Sequence, residues 1–470
     1  MSTTPKSSKT NKLTDLIRTS ITFRLFVVGF LVIILLIPLI FVQNLIEERA
    51  SRQVEVVAEI QDKWGDAVLL YGPILQVPYK TYSEKAITNT KTKEVTTEII
   101  EKISTAYFFP EVLDIKAAAS PQIKKRGIYE TAVYTGDIKL AGNFAKPDFS
   151  ELEIPDEHIL WNKARILLKT SNLKGVKNQV IFQYNGESAT LTSKYESQHR
   201  QLDGTMAMHT LQSAPLKNLL SSEEKTIRFT TNISVNGSAD LQFVPIGKTT
   251  EARITSNWHT NNFTGNYLPY NDDKLQEKGF DARWKVLDIN RPFDQEYFHG
   301  LPNLNEEAFG VNFMIPVDEY QKSERTAKYG FLVIGLTFLL FFLIQTLSKI
   351  AVHPFQYLMI GLALVMFYTL LIAISEHSSF LSAYLIAAVS VIVLITLYSK
   401  SILKIWKFPV FIGSALTGLY SFIYVIIQLE SYALLVGSIG LFAILAAVMY
   451  VSRKIDWEGT SNPNLNPQIS

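Results

Sequence analysis

The chain has 470 residues, enough for two domains with separate interiors. Its formal net charge is +2 and it carries no long basic block, which sets aside nucleic-acid partners. It has no cysteine, which excludes disulfides, thiolate chemistry and cysteine-based metal sites.

In chain order, the Ser/Thr/Lys-rich start to about Asn11 reads as disordered, and residues 1–24 as a cytoplasmic tail. Leu25–Val42 is the first of six uncharged apolar stretches, each close to the ~20 residues a helix needs to cross ~30 Å of hydrocarbon. It is too long for a typical signal-peptide core and no small-x-small cleavage site follows, so it is expected as an uncleaved signal anchor over 25–45. QNLIEERASRQVEVVAEIQDKWG then continues as a charged helical stalk.

Residues 46–328 form the expected β-rich domain. From Trp64 to Arg325 the apolar pattern has period two: Ile227, Phe229, Ile233 and Val235 alternate with polar residues, and Ala239, Leu241 and Phe243 resume the alternation after Asn236-Gly237. Asn-Gly between alternating runs predicts a tight hairpin there, and a second at Asn185-Gly186. Further strands are expected at Thr96–Phe109, Ile128–Tyr134, Arg165–Thr170 and Ala252–Trp258, together an antiparallel sandwich. The final third supplies a five-helix bundle over 329–452, with spans near Tyr329–Leu347, Phe355–Ser375, Phe380–Tyr398, Phe408–Leu429 and Tyr432–Val451, then a tail over 453–470.

Lys and Arg in the short flanks set the expected orientation. Lys6, Lys9, Lys12, Arg18 and Arg24 precede the first span; Lys349, Lys400, Lys404, Lys407, Arg453 and Lys454 fall on the same side. The opposite short loops hold Glu376-His377 and Glu430 without a cation, so both termini are expected in the cytoplasm and the β domain in the periplasm.

The sequence lacks a nucleophile elbow, a phosphate-binding loop, H-E-x-x-H and a dinucleotide fingerprint. His158, His199, His209, His259 and His299 are scattered, and the stretch around His199 and His209 reads as an exposed loop. No catalytic, cofactor or metal residues are therefore assigned. The candidate polar site is Glu376, His377 and Glu430, weighed against two polar loops that simply keep helix ends in water. Ser414/Gly418, Ala383/Ala387 and Ala443/Ala447 have the spacing of close helix packing. The spans carry no central charge, which argues against coupled transport.

Several segments together resemble the CreD family, bacterial inner-membrane cell envelope integrity proteins. They are GPILQVPY at Gly72–Tyr79, FFPEVLDI at Phe108–Ile115, RGIYETAVY at Arg126–Tyr134, FVPIGKTT at Phe243–Thr250 and FTGNYLP at Phe263–Pro269. To these add SNW at Ser256–Trp258, FGVNFMIPVDEYQKSERTAKYG at Phe309–Gly330, KYGFLVIGLTFLLFFLIQ at Lys328–Gln345, HPFQYLMIGLALVMFYTLLIAISEH at His353–His377, and YALLVGSIGLFAILAAVMY at Tyr432–Tyr450 followed by Arg453, Asp456 and Trp457. The resemblance spans roughly Ile46 to Trp457, with departures at Gln345, where members commonly have an acidic residue, and at Asn261-Asn262, where they tend to show Pro-Ser. It implies a role in envelope integrity and bacteriocin tolerance under a two-component regulon, with no catalytic residues or cofactor to carry over. The expectation is a non-enzymatic protein whose partners are the lipid bilayer and an envelope protein or glycan held by the β domain. A membrane-facing lipid- or glycan-handling enzyme and an envelope-stress sensor are the alternatives.

Overall fold

The computed structural model describes residues 21–88, 95–194, 207–219, 226–259, 262–298, 300–313, 315, 319–348, 350–403, 405–429 and 432–453. The chain divides into two compact units, Glu55–Pro316 and Met1–Val54 with Val317–Ser470.

Helix α1 (Ile21–Trp64) runs 44 residues without a break, so the apolar anchor and the charged stalk are one element. Its last turns belong to the sheet unit. Trp64 Nε1 donates to the Tyr134 carbonyl at 3.3 Å, the Lys124 ammonium lies 4.6 Å from the Trp64 ring, and Asp62 pairs with Lys174 at 2.5 Å. Glu59 pairs with Arg126.

The sheet unit has sixteen strands among the described residues. They are β1 (Val68–Thr88), β2 (Val95–Phe108), β3 (Val112–Arg126), β4 (Tyr129–Ala145), β5 (Arg165–Thr170), β6 (Ile181–Tyr184), β7 (Glu187–Lys194) and β8 (His209–Ser213). Then follow β9 (Thr226–Ser238), β10 (Asp240–Phe243), β11 (Thr249–Ser256), β12 (Asn262–Gly265), β13 (Leu275–Gln276), β14 (Gly279–Leu287), β15 (Glu296–Tyr297) and β16 (Phe309–Asn312). Alternate residues of β9 are buried, as the period-two pattern requires. Val68, Leu70, Leu168 and Leu211 face Ile138, Ile233 and Val235 across one small void, so strands distant in the sheet order share a core as in a sandwich. The ends of that order also meet: Phe263 of β12 lies 5.8 Å from Phe280 and 5.9 Å from Trp284 of β14, edge to face.

The structure corrects the purely antiparallel expectation. β1 pairs with β10, and β3 with β11, in parallel. Both partners return after long excursions through other strands, the connection that parallel pairing demands. The predicted turn at Asn185-Gly186 forms, with φ of 42° and 86° and Tyr184 paired to Glu187. The one at Asn236-Gly237 does not. There β9 continues against β4, pairing Asn236 with Thr135 and Gly237 with Tyr134, and the positive φ falls at Ala239. β10 then leaves for β1. Glycine is needed at 237 for space, because a Cβ there would lie 2.4 Å from the Tyr134 ring and 2.8 Å from Val68. His209 likewise opens β8, paired with Thr170, instead of lying in a loop; His199 and His299 fall outside the described residues.

The second unit holds the apolar part of α1, a short charged helix α2 (Glu319–Lys328), and α3 (Gly330–Ser348), α4 (Pro354–Ser375), α5 (Phe380–Leu403), α6 (Lys407–Gln428) and α7 (Ala433–Ser452). Among the described residues, six helices are long and apolar enough to cross a membrane. α1 presents a narrow stripe, Val28, Leu35, Leu39, Val42 and Ile46, to the bundle, while Phe26, Phe30, Ile37 and Phe41 stay exposed. Glycines receive that stripe, with Leu39 over Gly330 and Leu35 over Gly361. α7 has no buried residue among those described, an arrangement suited to hydrocarbon rather than water. Of the three small-residue pairs, only Ala383/Ala387 is buried; Ser414, Gly418, Ala443 and Ala447 are exposed. The close approaches fall instead at Gly413, against Thr396, and at Gly440, against Phe422.

Candidate functional site

Of the polar residues singled out in the helical unit, Glu376 and His377 sit at the C-terminal end of α4. α4 ends at Ser375, and the Glu376 and His377 amides donate back to the Ile372 and Ile374 carbonyls, closing the helix. The Glu376 carboxylate lies 3.7 Å from Arg49 Nε of α1, with side chains 17% and 46% exposed. Such a pair contributes at most about 1 kcal/mol and ties α1 to α4 more than it prepares a reactive group. His377 is exposed, and Glu430 lies outside the described residues. At the opposite end of α4, the Gln345 amide oxygen accepts from the buried Tyr357 hydroxyl at 2.9 Å, so Gln345 is a satisfied core group. Among the described residues no three His, Asp or Glu side chains are grouped to hold a metal ion.

In the sheet unit β1 and β2 form a long two-stranded ribbon. The two strands pair over fourteen positions, from Leu75↔Phe108 to Thr88↔Val95. On its other side β1 pairs with β5 only as far as Gln76, and β2 meets β15 only at Tyr107 and Phe108. Beyond Lys80 and Ile103, therefore, both outer edges lack a strand partner among the described residues. Open edges present unpaired N–H and C=O groups, the template for adding a strand.

Cross-strand register puts Ile99, Glu101 and Ile103 of β2 on one face with Glu84, Tyr82 and Lys80 of β1. Ile99, Ile103 and Tyr82 are 67%, 53% and 47% exposed. Between them Lys80 Nζ pairs with Glu101 at 3.0 Å, and that contact raises the lysine above its usual range. The Tyr82 ring rests 4.9 Å from the His158 ring. The result is an edge-exposed face on which Ile99, Ile103 and Tyr82 flank one ion pair. Sequence reading found the strand but not its exposed face. The signal was present in the Ile99-Ile100 doublet, which puts an apolar side chain on both faces of a strand that buries neither.

Two carboxylates elsewhere in the unit behave in opposite ways. Asp281 accepts from Arg253 Nε and Nη2 at 2.8 and 2.7 Å and from Arg283 Nη2 at 3.0 Å. Arg253 first, then Arg283, holds its carboxyl below the usual range against the opposing effect of burial. Asp240 is pushed up by burial, with the Asn312 amide donating at 2.9 Å and partly offsetting it. Both serve the strand framework rather than the ribbon.

A family model described as Inner membrane protein CreD matches residues 20–458. The inner membrane protein CreD of Escherichia coli (strain K12) is 30% identical over 438 residues, covering 92% of this chain and 93% of that relative.

Proposed function

We propose, from the premise that the chain belongs to the CreD family of inner membrane proteins, that it supports cell envelope integrity by a non-enzymatic route. In this reading the sheet unit binds an envelope protein or glycan, and the apolar helices hold it at the inner membrane. The observation that carries the reading is the β1–β2 ribbon, whose edges lack a strand partner among the described residues and whose exposed Ile99, Ile103 and Tyr82 form a binding face. The distribution of Lys and Arg among the short loops supports cytoplasmic termini and a periplasmic sheet unit. Glu376, paired with Arg49, is a tie between helices rather than a catalytic acid. Deleting the gene in its host is the test: sensitivity to detergent, bacteriocin or cell-wall antibiotics should rise, and unchanged sensitivity to all three contradicts the proposal.

A further inference from the structure

A row of cations crosses one face of the sheet unit. Lys139 of β4 is paired in register with Lys116 of β3, Lys116 with Arg253 of β11, and Arg253 with Arg283 of β14. Directly paired residues share a face, so four positive side chains stand side by side at the strand spacing of about 4.8 Å, a line of roughly 14 Å. The four come from separate stretches of sequence, so no basic block announces them. Like charges in direct register destabilise a sheet unless something neutralises them.

The protein does so only in part. Asp281 is nearly buried and takes both guanidiniums, 2.7 Å from Arg253 Nη2 and 3.0 Å from Arg283 Nη2, while the arginine side chains stay open to solvent. Asp114 lies 2.8 Å from Lys116 Nζ. Lys139 is exposed and has no ion-pair partner among the described residues. Of the other anions on this face, Asp137 accepts from Ser234 Oγ and Glu251 pairs with Lys285 at 2.8 Å. The row itself keeps an excess of positive charge.

The same face continues into a polar cleft. Arg228, Thr230 and Asn232 alternate on the outward side of β9, and Asn232 is paired with Lys139. Arg228 and Thr230 line a cleft of about 560 Å³ together with Gln183, Asn185, Glu187 and Ser188 at the β6–β7 turn. That volume is within the ~300–1,000 Å³ typical of ligand sites. Arg228 is exposed and has no ion-pair partner among the described residues. Amide and hydroxyl groups match sugar hydroxyls, and guanidinium forks match carboxylates. The uncharged neighbours of the row are Ala118, Ala141, Thr255 and Asn232. A surface that enters lipid sets its cations against Trp, Phe or Leu instead.

We infer that this face binds a linear acidic glycan, with its carboxylates along Lys139, Lys116, Arg253 and Arg283 and its hydroxyls in the cleft. The inference rests on the proposed binding role of the sheet unit but uses a surface other than the ribbon. Its failure in a binding assay leaves the ribbon reading standing, and that reading is tested separately by resistance in cells.

The full chain in phosphatidylcholine nanodiscs is titrated with oligogalacturonate and with its methyl ester, which keeps the sugar backbone and removes the charge. Wild type should bind the acid, less tightly as salt rises, and not the ester. Lys116→Gln with Lys139→Gln should weaken binding roughly three- to tenfold, the range for two exposed charge pairs. Its melting temperature should be no lower than that of wild type, because a like-charge contact is removed. Lys146→Gln with Lys163→Gln, two exposed lysines away from the row, is the charge-matched control and should bind as wild type does. Gln183→Ala with Ser188→Ala should weaken oligogalacturonate and leave tripolyphosphate binding unchanged, which separates a glycan site from a general polyanion surface. The inference is overturned if wild type binds the ester as well as the acid, or if the row variant binds no more weakly than the control. It is equally overturned if the row variant loses binding to phosphatidylglycerol vesicles and keeps oligogalacturonate.

Discussion

Replacing Asp281 with asparagine isolates a charge that the sheet framework uses twice. Arg253 of β11 and Arg283 of β14 are direct cross-strand partners, so two guanidiniums face each other across the ladder. Like charges in that register are destabilising unless neutralised. The Asp281 carboxylate, 10% exposed, bonds both, while the arginine side chains are 51% and 42% exposed. Charge-assisted hydrogen bonds are worth about 1.5–3 kcal/mol, and solvent around the arginines reduces this to about 1–2 kcal/mol. For a domain of this size that corresponds to a fall in Tm of roughly 2–8 °C. The pH sign follows from the lowered carboxyl. Its contribution is fully present above the ordinary carboxylate value near 3.9 and is lost as pH falls through the folded-state value. Thermal unfolding of wild type and Asp281→Asn at pH 7 and pH 3 is the assay. A large gap at pH 7 that narrows at pH 3 is expected; no gap at pH 7, or the same gap at both, refutes the reasoning.

Other outcomes follow from the same structure. Asp240→Asn should act in the opposite direction, raising Tm at pH 7 because a carboxyl raised by burial destabilises when ionised; the gain should vanish below about pH 4 in the same melting experiment. Gly237→Ala should cost about 1–3 kcal/mol, since Tyr134 is fully buried with its hydroxyl donating to the Asp240 carbonyl and cannot yield; denaturant titration checks it, and a neutral result removes the close-approach explanation. Gln345→Leu should leave the Tyr357 hydroxyl unpaired and cost about 1–2 kcal/mol, visible as a lower melting temperature in detergent; an unchanged melt would show that the pair contributes nothing.

Much of this architecture was legible from local pattern. β5 occupies Arg165–Thr170 as its apolar run indicates, and the Asn185-Gly186 turn forms because both residues take positive φ between strands that do pair. Asn236-Gly237 misled because glycine answers two different needs. A hairpin requires its conformation, whereas β9 requires its missing side chain beside Tyr134, a neighbour about a hundred residues away in sequence. The parallel pairs were invisible for a related reason: alternation reports which face a residue takes, not which strand lies beside it. The Arg49–Glu376 pair joins residues from opposite ends of the chain, so the acidic residue was visible and its partner was not. The ribbon escaped notice because an exposed edge is a property of the finished sheet order, although the Ile99-Ile100 doublet carried a trace of it. In the bundle, spacing alone did not distinguish the packed Ala383/Ala387 pair from Ser414/Gly418, which faces open space.

The proposed role stands or falls on whether the ribbon face is needed in the cell. Ile99→Lys with Ile103→Lys changes two exposed side chains at little expected cost to folding, and Ile123→Lys on β3 alters a comparably exposed residue elsewhere. Each variant is returned to a strain lacking the gene, at membrane levels matched to wild type, and scored for resistance to detergent, bacteriocin and cell-wall antibiotics. The ribbon variant should fail to restore resistance while Ile123→Lys restores it. Full restoration by the ribbon variant would contradict the account.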